Sequence, residues 1–189
     1  YGKAEHLERL RAYKVRPAPD LPPGKFETGT ANFEALAWII GTMEYLCELG
    51  HRFGAEAGGG MAQSFSDRQR CMKHSMATVR AYELDLTRTL LKTLRDIPGL
   101  RIYGLRDEAS IDRRVPTVSF TLKGKTPLQV ARALGEAEIH AWDGNYYAPA
   151  VTERLGLEAS GGMVRVGLAH YNTPEEIARL DEALRALVA

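Results

Sequence analysis

Apolar residues recur at helical spacing through the longest regular stretch of the chain. Between Ser66 and Ile97 they stand three or four positions apart, at 72, 76, 79, 82, 86, 90, 94 and 97. This is the period of an amphipathic helix. Ser66 is suited to cap the first turn, and Pro98 and Gly99 end the pattern. The sequence therefore predicts one long helix over 66–97.

A second long helix is predicted earlier in the chain, at 33–49. Asn32 precedes this apolar segment and is a suitable N-cap, and Gly50 is placed to end the helix. Residues 51–64 contain three consecutive glycines. We expect them to form a flexible loop between the two long helices.

After Gly99 the pattern changes from a helical to a strand-like period. Short strands are predicted at 100–103, 115–122, 139–142 and 163–168. Helices are predicted between them at 127–137 and 149–155, and a last helix begins after Thr173, which caps a turn containing a proline and two glutamates. The order predicts an α+β fold, in which two long helices precede a small, mainly antiparallel sheet covered by helices.

Composition and charge narrow the classes of partner. The chain has 189 residues, 44% of them hydrophobic and 26% charged, which is the balance of a globular domain. With 25 basic and 24 acidic residues the charge gives no sign of nucleic-acid binding. No apolar stretch approaches the roughly 20 residues of a membrane helix. We therefore expect neither a nucleic acid nor a membrane as partner.

The chain contains two cysteines, Cys47 and Cys71, and no CxxC motif. This pattern predicts neither a disulfide framework nor a cysteine zinc site, and it favours a reducing, cytoplasmic setting. The five histidines show no HExxH or i,i+4 spacing. No metal site is predicted.

Three places in the sequence have residue types suited to binding chemistry. Gly29 and Thr30 come just before a helix, where free N–H groups attract phosphate, although an ordinary helix entry would look the same. Arg165 stands among apolar residues of a strand. It is either a solvated residue or, if it faces a cleft, a fork for a carboxylate. Residues 142–147 concentrate aromatic and amide groups that either line a pocket or simply pack.

Three motifs carry a resemblance to a known family. Residues 26–32 (FETGTAN) resemble an F-E-x-G-T-x-N segment, 139–148 with 152–156 resemble a loop and helix after a central strand, and 164–176 resemble a V-R-x-S/G…Y-N-T-x-E-E ending. Together they resemble the C-terminal portion of class V aminotransferases, which include cysteine desulfurases and selenocysteine lyases. These are fold-type I enzymes that use pyridoxal phosphate. The resemblance extends over essentially the whole chain.

The resemblance implies roles for the residues singled out above. Gly29 and Thr30 match the segment that reaches the cofactor phosphate of the neighbouring subunit. Arg165 matches the arginine that clamps the substrate α-carboxylate, and Asn145 and Tyr146 are implied to line the substrate pocket. A homodimer and an amino-acid substrate are implied as well. The resemblance also implies a division of the chain into two parts. Residues 1–65 would be a connecting segment and helix from the end of a large domain, and residues 66–189 would be a small domain that begins with a long helix.

Two departures from the family pattern limit the chemistry. The S-x-H-K-type segment with the lysine that holds the cofactor is missing from these 189 residues. We therefore predict no catalytic residue in this chain and no cofactor bound to it alone. Tyr147 stands where one branch has its cysteine, and a hydroxyl cannot replace a thiolate as sulfur acceptor. The persulfide route is disfavoured.

Two functions are compatible with this sequence. The first is the C-terminal part of a pyridoxal-phosphate enzyme acting on an amino acid. The alternative is a non-catalytic α+β module for binding or dimerisation.

Overall fold

The two long helices lie side by side and run in the same direction. The computed structural model describes residues 2–57 and 65–188. Within them the α-helices are α1 (Ala4–Arg9), α2 (Phe33–Ala57), α3 (Asp67–Arg95), α4 (Pro127–Glu136), α5 (Pro149–Arg154) and α6 (Pro174–Ala186). The Arg68 guanidinium contacts the Met43 sulfur at 3.1 Å, and ten residues further along each helix the Thr78 hydroxyl donates to the Phe53 carbonyl at 3.3 Å. These contacts advance together, so α2 and α3 are parallel.

A four-stranded antiparallel sheet follows the long helices. Its strands are β1 (Leu100–Tyr103), β2 (Thr117–Leu122), β3 (Trp142–Gly144) and β4 (Met163–Gly167). They are ordered β1-β2-β4-β3, and every neighbouring pair is antiparallel. The predicted small antiparallel sheet is confirmed, although its third strand lies a few residues later than the pattern indicated.

The hydrophobic core lies between one face of this sheet and helices α3, α4 and α6. Alternate residues of β2 and β4 enter it, and each of the three helices contributes a buried stripe. The buried residues at its centre are Leu86, Leu90, Leu94, Val118, Phe120, Leu122, Val130, Leu134, Val164, Val166, Ile177, Leu180 and Leu184. The opposite face of the sheet is left without a covering helix among the described residues.

The helix caps predicted at Ser66 and Thr173 are confirmed, and Thr126 caps α4 in the same way. Ser66, Thr126 and Thr173 each accept a hydrogen bond from the backbone N–H three residues later, and the Gln or Glu at that position bonds back to the cap. These reciprocal capping boxes satisfy N–H groups that have no partner inside the helix. Asn32 also caps as predicted, because its Oδ1 accepts from the Ala35 N–H at 2.9 Å.

Gly50 does not end α2, and that prediction is wrong. The helix continues to Ala57, so residues 51–57 of the predicted loop are helical, and the rest of that loop, 58–64, lies outside the described residues. Gly50 is buried against α3, where a Cβ would come within 2.0 Å of the Cys71 carbonyl oxygen. Glycine is required at this position by the close approach of the two helices.

The prediction that the cysteines form no disulfide is also wrong. Cys47 of α2 and Cys71 of α3 are bonded to each other, with Cα atoms 4.9 Å apart. Sequence spacing could not show this, because the pairing follows from two helices lying in parallel contact. The disulfide also removes the observation on which a cytoplasmic setting was favoured.

No helix of the described residues is both long enough and apolar enough to cross a membrane. The division into 1–65 and 66–189 stays a prediction.

Candidate functional site

The uncovered face of the sheet carries Arg165. Along β4 the neighbours Val164 and Val166 are buried in the core. Because successive side chains of a strand point to opposite faces, Arg165 lies on the other side. There it is paired in register with Ser119 of β2 and Trp142 of β3. The sheet thus places a partly buried guanidinium at the centre of an open polar face.

Two aromatic rings flank the Arg165 guanidinium. Its central carbon lies 4.7 Å from the ring centroid of Tyr146 and 5.9 Å from that of Trp142. Both distances allow a cation–π interaction. Across the described ranges Arg165 forms no ion pair with a carboxylate. The guanidinium is therefore held by rings rather than neutralised by an acid.

An open cleft of about 500 Å³ lies beside this group. It is lined by Thr117, His140, Ala141, Trp142, Arg165 and Gly167. A volume of this order suits a small molecule. A cleft with one arginine and no acidic lining residue is suited to an anion such as a carboxylate.

Tyr146 is fixed by its backbone and by its hydroxyl. The hydroxyl donates to the Met163 carbonyl at 2.5 Å. Its backbone is left-handed, with φ 55°, and Tyr147 follows with φ 59°. Burial, the largest cause, raises the pKa of Tyr146 to about 12. The hydroxyl therefore remains a proton donor at neutral pH.

The loop bearing Tyr146 is seated on the short 3-10 helix Glu158–Ser160. The Asn145 side chain donates to Glu158 Oε1 at 3.0 Å, and its Oδ1 accepts from the Tyr147 N–H at 3.2 Å. Glu158 also accepts from the Thr152 hydroxyl, and the bonds from Thr152 and Asn145 lower the pKa of the Glu158 carboxyl. Asn145 is thus engaged in holding the loop, and its predicted contact with substrate stays a prediction.

Gly162 lets the same loop approach the start of β4. A Cβ on Gly162 would lie 2.2 Å from the Gly144 carbonyl oxygen, and its φ is +82°. Only glycine combines this backbone angle with so close a contact.

Gly29 and Thr30 do not line the cleft beside Arg165. Both are exposed and come shortly before the N-terminus of α2. A Cβ added to Gly29 would meet nothing within 4 Å. A phosphate could therefore approach the backbone here without displacing a side chain, so this segment fits the role that the resemblance implies. The structure unites Arg165 with Tyr146 but not with Gly29 and Thr30.

Sequence reasoning did not identify Thr117 and His140 as cleft residues. Thr117 reaches the cleft because it lies on β2 on the same face as Ser119, and His140 because it lies two residues before the start of β3. The alternation of β2 was visible in the sequence, but the pairing of β2 with β4 was not.

Comparison with known proteins identifies the family. The sequence model of the Aminotransferase class-V family matches residues 61–180. The chain is 32% identical over 166 residues to a probable cysteine desulfurase of Mycolicibacterium paratuberculosis, covering 88% of this chain and 19% of that protein. It is 28% identical over 165 residues to a cysteine desulfurase of Synechococcus elongatus, covering 87% of this chain and 21% of that one.

A solved structure shares the fold. The cysteine desulfurase CsdA of Escherichia coli, in an S-sulfonic acid form, aligns over 100% of this chain and 41% of its own, with a TM-score of 0.67 and 20% identity. The first curated relatives are two to five times longer than the chain, which spans about a fifth to a third of their length. The fold is therefore that of part of a fold-type I pyridoxal-phosphate enzyme. Because the family match extends over more than half of its 189 residues, the chain belongs to the aminotransferase class-V family.

Proposed function

We propose that the chain is the C-terminal part of a pyridoxal-phosphate enzyme acting on an amino acid, and that Arg165 binds the α-carboxylate of the substrate. The observation that carries this proposal is the environment of the Arg165 guanidinium. It is partly buried on an open sheet face, beside a cleft, and makes no ion pair within the described residues. A positive charge placed there without an ion-pair partner is suited to bind the carboxylate of a substrate.

The flanking rings leave the binding edge of the guanidinium available. A guanidinium stacks through its faces and donates hydrogen bonds within its plane, so aromatic contact and a bidentate carboxylate are compatible. Arg165 would fix the orientation of the amino acid in the cleft, with Trp142 and Tyr146 limiting the directions in which the fork can turn. Such positioning lowers the entropic part of a reaction barrier.

Gly29 and Thr30 would hold the cofactor phosphate of a neighbouring subunit, through backbone N–H groups close to the start of α2. When bound, pyridoxal phosphate supplies an electron sink for the bonds at the α-carbon of the amino acid. The site residues would thus be divided between two subunits, which is consistent with the absence of Gly29 and Thr30 from the lining of the cleft.

A homodimer is part of this proposal. Helix α2 exposes large apolar side chains, among them Phe33 at 70%, Trp38 at 72% and Ile40 at 56%. Contiguous apolar surface of this kind marks a contact with another protein surface. We propose that a second subunit covers it. Residues 1–65 would then belong with the larger domain and 66–189 form the small domain.

Formation of a persulfide on this chain is not part of the proposal. Its two cysteines are bonded to each other, and by the resemblance Tyr147 stands where one branch of the family has its cysteine. Transamination, β-elimination, racemisation and selenocysteine cleavage remain as reactions that need no protein thiol.

The test is Arg165→Lys in the longer protein that carries this chain. A lost bidentate contact is worth roughly 1.5–3 kcal/mol, so the KM for the amino acid should rise about tenfold to a hundredfold while cofactor binding is unchanged. Arg101→Lys is the matched control, because Arg101 lies on β1 with its guanidinium over the Tyr103 ring at 5.0 Å. An unchanged KM in Arg165→Lys, with normal folding, would show that the carboxylate is bound elsewhere.

A further inference from the structure

We infer that Tyr146 is a positioning residue for Arg165, whose ring holds the guanidinium in the orientation that receives a carboxylate. This inference rests on the proposed function for its consequence in catalysis, but the contact itself can be tested without it. The Tyr146 ring is the nearer of the two aromatic groups, at 4.7 Å against 5.9 Å for Trp142.

Tyr146 and Arg165 are both attached to strand β4, Tyr146 through a hydrogen bond and Arg165 through its own backbone. The Tyr146 hydroxyl donates to the carbonyl of Met163, which is two residues before Arg165 on β4. The carbonyl lies in the plane of the sheet and the Tyr146 ring lies 4.7 Å from the Arg165 guanidinium, so the side chain extends from β4 to the face that carries Arg165. A ring tied at its far end to β4 cannot move away from Arg165 without breaking that hydrogen bond.

The backbone of the loop supports this role. Tyr146 and Tyr147 are consecutive left-handed residues, a conformation that is uncommon for bulky side chains and persists where the surroundings impose it. The surroundings do so here, since Asn145 bonds to Glu158 and Gly162 admits the Gly144 carbonyl at a distance closed to any side chain. This backbone conformation places the Tyr146 ring against Arg165.

The neighbouring aromatic residues are less suited to the task. Trp142 is 58% exposed and belongs to a three-residue edge strand. Tyr147 is 96% exposed. Neither has a side-chain hydrogen bond to β4 among the described contacts. Tyr146 alone of the three combines a ring contact with a tether.

The contact is tested by NMR on the 189-residue chain. The Arg165 Nε–H resonance is assigned by its disappearance in Arg165→Lys. In the native chain we expect this proton to be shifted upfield by the Tyr146 ring and its {1H}-15N NOE to indicate an ordered side chain. Tyr146→Leu should remove both effects, whereas Tyr146→Phe, which keeps the ring, should retain the upfield shift. Tyr103→Leu, which removes the equivalent ring over Arg101, should leave Arg165 unchanged.

An unshifted, mobile Arg165 Nε–H in the native chain would overturn the inference, and this measurement does not depend on any variant folding. An Arg165 that is as ordered in Tyr146→Leu as in the native chain would overturn it equally.

The consequence is tested by kinetics in the longer protein that carries the chain. Tyr146→Leu should raise the KM for the amino acid about threefold to tenfold with kcat little changed, the size expected when a cation–π contact no longer orients a binding group. Tyr103→Leu should leave KM unchanged. If Arg165→Lys raises KM and Tyr146→Leu does not, the positioning role is wrong while the proposed function stands. If Arg165→Lys itself has no effect, the proposed function fails.

Discussion

The contact between α2 and α3 at Gly50 offers a stringent test of the fold. Gly50 lies within a helix of 25 residues and faces the backbone of Cys71 on α3. In Gly50→Ala the new Cβ would lie 2.0 Å from the Cys71 carbonyl oxygen, 2.8 Å from its carbonyl carbon and 3.1 Å from its Cα. These are backbone atoms, which cannot rotate aside as a side-chain end can.

Two effects oppose each other in this variant. Alanine is favoured over glycine inside a helix by about 1 kcal/mol. Ordinary contact distances for carbon are about 3.5–4.0 Å, so the helices would have to separate by more than about 1 Å, and such overpacking typically costs about 1–3 kcal/mol. The Cys47–Cys71 disulfide resists the separation, because it joins the same two helices beside Gly50. We therefore expect Gly50→Ala to lower the free energy of unfolding by about 1–2 kcal/mol, the upper part of the range that remains after the gain in helix propensity.

The matched control is Gly41→Ala in the same helix, where an added Cβ would meet nothing within 4 Å. It should gain about 0.5–1 kcal/mol from helix propensity. Urea unfolding of the two variants and the native chain, followed by far-UV circular dichroism, measures both changes. Equal stability of Gly50→Ala and Gly41→Ala would refute the close approach of α2 to α3.

Two further predictions concern the disulfide and Tyr146. Reduction of the Cys47–Cys71 bond, whose partners are 24 residues apart, should lower the free energy of unfolding by about 3 kcal/mol through the greater entropy of the open chain, and the Cys47→Ser, Cys71→Ser double variant should show no response to reductant in the same urea titration. Burial raises the pKa of Tyr146 from 10.0 to about 12, so the unfolded chain releases this proton at a lower pH than the folded chain does. The contribution of Tyr146 to the free energy of unfolding should therefore be fully present below pH 10.0 and should be lost as the pH rises towards about 12. Tyr146→Phe should flatten that decline, and an identical pH profile in both proteins would contradict it.

Features that depend on a few neighbouring residues were predictable from the sequence. The capping boxes at Ser66, Thr126 and Thr173 each lie within four residues. The strand periods of β1, β2 and β4 come from short segments. The α+β order and the helix over α3 follow from the same local patterns. The family motifs could be matched for a similar reason, since each is a short run of residues whose types can be compared directly.

Gly50 and the two cysteines show where local reasoning failed. A glycine after an apolar helical segment has the local signature of a helix end. Gly50 instead lies inside α2, and glycine is needed there because a Cβ would collide with the Cys71 carbonyl of α3. Likewise Cys47 and Cys71 are paired only because α2 and α3 are parallel and in contact. The relative direction of two helices is not encoded in the period of either.

The sequence by itself determined that Arg165 lies on the face of β4 opposite Val164 and Val166, because side chains alternate along any strand. Only the tertiary structure decided what that face meets. The packing of three helices against one side of the sheet leaves the other side open, and the β3–β4 register sets Trp142 beside Arg165. The fold of the following loop then brings Tyr146 within 4.7 Å of the guanidinium. These contacts join segments some twenty residues apart along the chain, and their geometry depends on the whole sheet rather than on the residues that make them.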